Sequence, residues 1–84
     1  MDIKVRTKTK VSLIDCTHKN IGIYGKKPKG EFNYVVASQG DKVEILGEYE
    51  SEKRATEVLE LIELSIDQAF KLKEKGIIIH MPEE

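Results

Sequence analysis

The chain has 84 residues, 39% of them hydrophobic and 35% charged, with no tryptophan, a single cysteine and a net charge of -1. That length accommodates one domain, residues 1–84, with a thin core, because domains of this size bury only about 60% of their unfolded surface. Cys16 alone excludes an intramolecular disulfide and a cysteine-based zinc site within one subunit, and no apolar run approaches the roughly 20 residues of a membrane helix.

A reducing cytoplasm is the expected compartment, since the first residues also lack the apolar core of a secretory signal. The near-neutral total hides an asymmetry. Residues 1–30 carry eight Lys or Arg against two Asp, whereas residues 31–50 sum to -4 and residues 51–84 to -3. Such a split can create an anion-attracting face. The competing expectation is that the lysines only keep edge strands from pairing.

Ile3, Val5 and Thr7 alternate with Lys4, Arg6 and Lys8, which predicts a first strand with one wet, basic face at the edge of a sheet. Residues 11–16 form a second apolar segment and residues 20–24 a third. Residues 25–30 combine two glycines, a proline and three lysines, so an exposed, positively charged loop is expected there. Residues 32–38 read as a strand rich in β-formers, and a Gly-Asp turn leads into a strand over residues 43–49. In that strand Val43, Ile45 and Gly47 alternate with Glu44, Leu46 and Glu48.

A long amphipathic helix follows. Ser51 is its predicted N-cap, Glu52 suits the first turn, Lys71, Lys73 and Lys75 suit the end, and Gly76 supplies the stop. At helical spacing Ala55, Val58, Leu59, Ile62, Ile66, Ala69 and Phe70 share one face. Leu61 and Leu72 widen that face, and Leu64 stands almost opposite it, so these three leucines are candidates for subunit or partner contact. Residues 77–81 then return as a strand, either to the sheet of their own subunit or, after the glycine hinge, to that of a neighbour. The predicted fold class is α+β: a mainly antiparallel sheet of five to six strands packed on one long C-terminal helix, with a final short strand after it.

No catalytic constellation stands out. Glu57, Glu60, Glu63 and Asp67 recur at the spacing of a solvated helix face, and His18 and His80 lack the carboxylate or cysteine partners of a metal site. Cys16 and His18, two apart, would suit an activated thiolate, but a buried and inert cysteine is the stronger expectation. Gly22, Gly25 and Gly30 fit no phosphate-binding fingerprint. What remains is a basic loop bordered by aromatics. Lys26, Lys27 and Lys29, with Tyr24 and Tyr34 as stacking surfaces and Arg6 nearby in charge, form the candidate site for an anionic ligand.

The opening Ile3-Lys-Val-Arg6, the pair Leu13-Ile14, the block from Leu46-Gly-Glu-Tyr49 to Leu59 and the closing Met81-Pro82 followed by acids resemble a family of short uncharacterised proteins. These are encoded by low-GC Gram-positive bacteria, their phages and integrative elements. The Leu-Gly-Glu-Tyr block is the specific part, while Lys4 and Thr7-Lys-Thr9 depart from the family's usual opening. The resemblance carries no catalytic residues. It implies a small accessory protein of mobile-element type that binds a host factor, with an anti-defence role.

The sequence-level expectation is therefore a non-enzymatic, cytoplasmic, homo-oligomeric binding protein without cofactor or metal. Its partner would be a host protein or an anionic small molecule such as a nucleotide signal held between subunits. Two alternatives stand beside it: an interaction or assembly module using the helix face, and a nucleic-acid binder. No membrane association is expected.

Overall fold

Apolar residues at every second position give the N-terminal segment one face to bury and one to expose, and in the computed structural model Asp2–Arg6 forms strand β1 accordingly. The structure describes residues 1–25 and 33–83. Val5 is fully buried, whereas Lys4 faces solvent. Leu13–Asp15 (β2) pairs with β1 antiparallel and Gly76–His80 (β6) pairs with it in parallel, so that Val5 lies between Ile14 and Ile79. β1 is thus the middle strand of its sheet, not an edge as its basic residues led one to expect. Lys4 and Arg6 mark the solvent face of a strand covered on one side only, and such a face occurs in central strands too.

Asn20–Tyr24 (β3), Tyr34–Gln39 (β4) and Lys42–Glu48 (β5) make a second, antiparallel sheet. Gly40, at φ 60°, with Asp41 forms the two-residue turn between paired Gln39 and Lys42, where the left-handed backbone suits glycine. The expectation of one sheet of five to six strands is therefore corrected to two sheets of three, one of them containing a parallel pair. The chain beyond β1 bridges them: the Lys8 amide donates to the Leu46 carbonyl at 2.8 Å.

β5 carries the main departure from simple alternation. Val35 pairs with Gly47 and Val36 with Ile45, so Leu46 is an extra residue, a β-bulge. Leu46 and Gly47 both turn inward and are buried, and Val43 and Ile45 are left on the solvent side. Counting by twos along the strand had grouped Val43, Ile45 and Gly47 on one face.

Glu52–Lys71 forms the helix α1, capped by Ser51, whose hydroxyl accepts from the Arg54 amide at 3.1 Å. Ala55, Val58, Ile62 and Ala69 are buried against β3, β4 and β6. Phe70, expected on this face, is 73% exposed. It lies a quarter-turn from the line of Ala55, Ile62 and Ala69, beyond the reach of either sheet.

The helix ends before Gly76. Lys73 adopts φ 56°, the Glu74 amide donates to Ala69 and the Lys73 amide to Phe70, a Schellman closure with lysine at the left-handed position. Gly76 instead opens β6, where a Cβ would stand 3.3 Å from the Asp2 carbonyl oxygen. The last strand pairs within its own chain. Val5 and Ile79 from one sheet, Val35, Ala37 and Leu46 from the other, and the helix residues meet in one core with Cys16, Tyr49 and Met81. Each large apolar side chain so buried contributes about 1.5–3 kcal/mol.

Candidate functional site

Cross-strand register determines which side chains stand together on the outer face of the β3–β4–β5 sheet. Three rows run across it: Tyr24, Tyr34 and Glu48; Gly22, Val36 and Ile45; Asn20, Ser38 and Val43. Residues directly opposite on neighbouring strands have Cβ atoms about 4.5–5.5 Å apart, so each row is a line of contacts. The bulge at Leu46 completes the arrangement, because it brings Ile45 beside Val36 and turns Val43 outward. Val36 is only 6% exposed although it lies outside the main core cluster, while Ile45 is 53% exposed and Val43 and Tyr24 are about as open.

The face continues toward the β1–β2 turn. A groove of about 770 Å³ lies there, lined by Val11, Ile14, Tyr34 and Ile45 on its apolar side and by Lys8 and Glu48 on its polar side. Val11 is 82% exposed. The Tyr34 hydroxyl donates to the Glu48 carboxylate, and that hydrogen bond pushes the phenol pKa up. Tyr24 and Tyr34 with the exposed Val11, Val43 and Ile45 thus give this face its apolar surface, with a polar rim.

The sequence-level candidates fall in different places. Tyr24 and Tyr34 come together as direct cross-strand partners. Lys26, Lys27 and Lys29 lie outside the described residues. Arg6 belongs to the other sheet, on its outer face, with His80 opposite it in register and Lys4 two residues back on the same face. Leu61, Leu64 and Leu72 are all exposed on the flank of α1, away from the tyrosines.

The basic excess of the N-terminal third is partly consumed in pairing. Lys19 meets Glu44 at 3.3 Å, Lys10 pairs with Glu83, and the Lys8 ammonium donates to the Glu48 carbonyl at 2.6 Å while standing 4.7 Å from the centre of the Tyr49 ring. Asp15 accepts from the amide and hydroxyl of Thr17, which hold its carboxyl below the ordinary range, and the Thr17 hydroxyl oxygen accepts from the Ile3 amide. These contacts organise the β2 end. Cys16 is buried in the core, where desolvation raises its thiol pKa, and His18 is exposed; this is the packing role expected of it rather than that of an activated thiolate.

Val11, Val43 and Ile45 were missed as surface residues by reading the sequence. One signal pointed to Val43 and Ile45: a glycine inside a strand, here Gly47, often marks a bulge, and a bulge reverses the faces of the residues before it.

Among the described residues no group of three or more His, Cys, Asp or Glu is placed to hold a metal ion, and no helix is long and apolar enough to cross a membrane. The fold defines a small α+β protein with one helix across two three-stranded sheets and a final strand after the helix. No family model, curated protein or solved structure matches the chain.

Proposed function

We propose that this protein acts by binding, and that a protein partner docks on the outer face of the β3–β4–β5 sheet. The observation that carries the reading is the Leu46 bulge, which sets Val43 and Ile45 in solvent on the same sheet face as Tyr24 and Tyr34. Single exposed apolar residues need no explanation, but a contiguous patch with a polar rim is the usual form of an interaction surface. Tyrosine suits it further, supplying a large rigid contact and a polar tip at low entropic cost. In keeping with the resemblance to proteins of mobile elements, the partner is taken to be a protein of the host cell.

Affinity capture with the wild-type chain, Ile45→Glu and Leu64→Glu tests the reading. A partner held by the wild type and by Leu64→Glu but released by Ile45→Glu supports the sheet face. Release by Leu64→Glu alone would move the site to the helix.

The cross-strand pair Tyr24–Tyr34 favours a second reading, in which a nucleotide-type anion stacks on the aromatic rings while Lys26, Lys27 and Lys29, close in sequence to Tyr24, supply charge. Reversing the charge of all three lysines would then abolish nucleotide binding. Unchanged binding across a nucleotide panel would remove this reading.

A further inference from the structure

β6 pairs on one side only, with β1, and among the described residues no strand lies along its other side. Ile77, Ile78 and Ile79 follow one another in it, with neither lysine nor proline to guard the edge. The helix leaves access to it. A groove of about 310 Å³ runs between Ser65 and Gln68 of α1, its C-cap Leu72, Glu74, and Gly76 and Ile77 of β6; Leu72 on its wall is exposed, as is Ile78 on the other face of the strand.

We infer that a second copy of the chain docks here, β6 against β6 in antiparallel register about a two-fold axis at Ile78. Self-complementarity identifies the occupant. In that register Ile78 meets the partner's Ile78 and Ile77 meets the partner's Ile79, so inward-facing residues join inward-facing ones and a continuous six-stranded sheet results. The apolar residues of the helix agree. With about 1.5 Å per residue in the helix and about 3.3 Å in the strand, Ile78 stands roughly level with Gln68 across the reversal at residues 72–75. The axis therefore turns Leu64 toward the partner's Leu72. This surface is separate from the outer face of the β3–β4–β5 sheet, so either can fail without the other.

Sedimentation of purified protein over a concentration series, with a charge-swap pair, tests the inference. The wild type is expected at twice the 9.6 kDa chain mass. Ile78→Lys and Ile78→Glu are each expected as folded monomers whose melting temperature no longer depends on concentration, and their equimolar mixture as a dimer. An Ile78→Cys variant should cross-link to a covalent dimer on mild oxidation, because directly opposed residues fall within disulfide reach; this readout stands even if a charged variant fails to fold. A wild type that stays monomeric, charged variants that remain dimeric, a mixture that does not reassociate, or an Ile78→Cys protein that does not cross-link would each overturn the arrangement.

Discussion

The Tyr49 hydroxyl donates to the Pro82 carbonyl oxygen at 2.8 Å, tying the end of the chain to the strand that carries the bulge, 33 residues earlier. Around this bond the Tyr49 amide donates to the Asn33 carbonyl, the Asn33 side chain returns a bond to the Tyr49 carbonyl, and the Lys8 ammonium lies over the ring. Tyr49 is 2% exposed, so the hydroxyl has exchanged water for Pro82. Removing it with Tyr49→Phe leaves the Pro82 carbonyl short of a donor and should cost about 1 kcal/mol. That loss corresponds to a fall of about 4–8 °C in melting temperature for a domain of this size. Hydrogen exchange should rise at the amides of Met81 and Glu83 first. An unchanged melting temperature would show that the bond is dispensable.

The same residue sets an alkaline limit. Burial raises the Tyr49 phenol pKa above its ordinary value of 10.0, because the phenolate is poorly solvated in the core. Its folded pKa exceeds its unfolded one, so the native state binds this proton more tightly. The associated stability is complete below about pH 10 and is lost as pH rises through the folded value. Urea unfolding from pH 8 to 11 should therefore show the wild type losing its advantage over Tyr49→Phe as the medium becomes alkaline. A constant difference would contradict the assignment.

Gly47 holds the bulge closed. A Cβ there would stand 3.0 Å from Tyr49 Cε2 and 3.1 Å from Lys8 Cβ, tighter than ordinary carbon contacts, so the buried Tyr49 ring or Lys8 would have to give way by a few tenths of an ångström. Gly47→Ala is predicted to destabilise by about 1–3 kcal/mol through overpacking. In a double-mutant cycle with Tyr49→Leu, chemical denaturation should show most of that cost removed, since the ring is the main obstacle.

Lys73 is the reverse case. A lysine held at φ 56° is strained by its Cβ, and glycine would occupy the same position freely. Lys73→Gly should stabilise the protein by about 0.5–1 kcal/mol, after the greater freedom of glycine in the unfolded chain is set against the relieved strain. Thermal melts decide it, and a lower melting temperature would mean that the lysine side chain contributes more than its backbone costs.

How far the fold was legible follows from the range of the signals. Ser51 as a cap, the Gly40-Asp41 turn and β3 from Asn20 to Tyr24 depend on a few adjacent residues, and all three stand where the sequence placed them. The central place of β1, the exposure of Phe70 and the split into two sheets depend on which distant element arrives beside which. Alternation along a strand carries no such information. The bulge lies between these cases: Gly47 announces it locally, but that Leu46 rather than Ile45 turns inward is decided by pairing with Val35 and Val36. The candidate site divided in the same way. Tyr24 and Tyr34 were legible as aromatics flanking one basic loop, whereas their pairing, and the place of Val11, Val43 and Ile45 with them, come only through register and the approach of the β1–β2 turn.

The most direct test of the binding account is native mass spectrometry of the protein purified gently from its own host, alongside Ile45→Glu prepared identically. The account predicts a second polypeptide retained on the wild type and absent from a variant whose stability is within about 0.5 kcal/mol of the wild type, as expected for an exposed position. Identical spectra, with the wild type and Ile45→Glu carrying the same species or none, would contradict it.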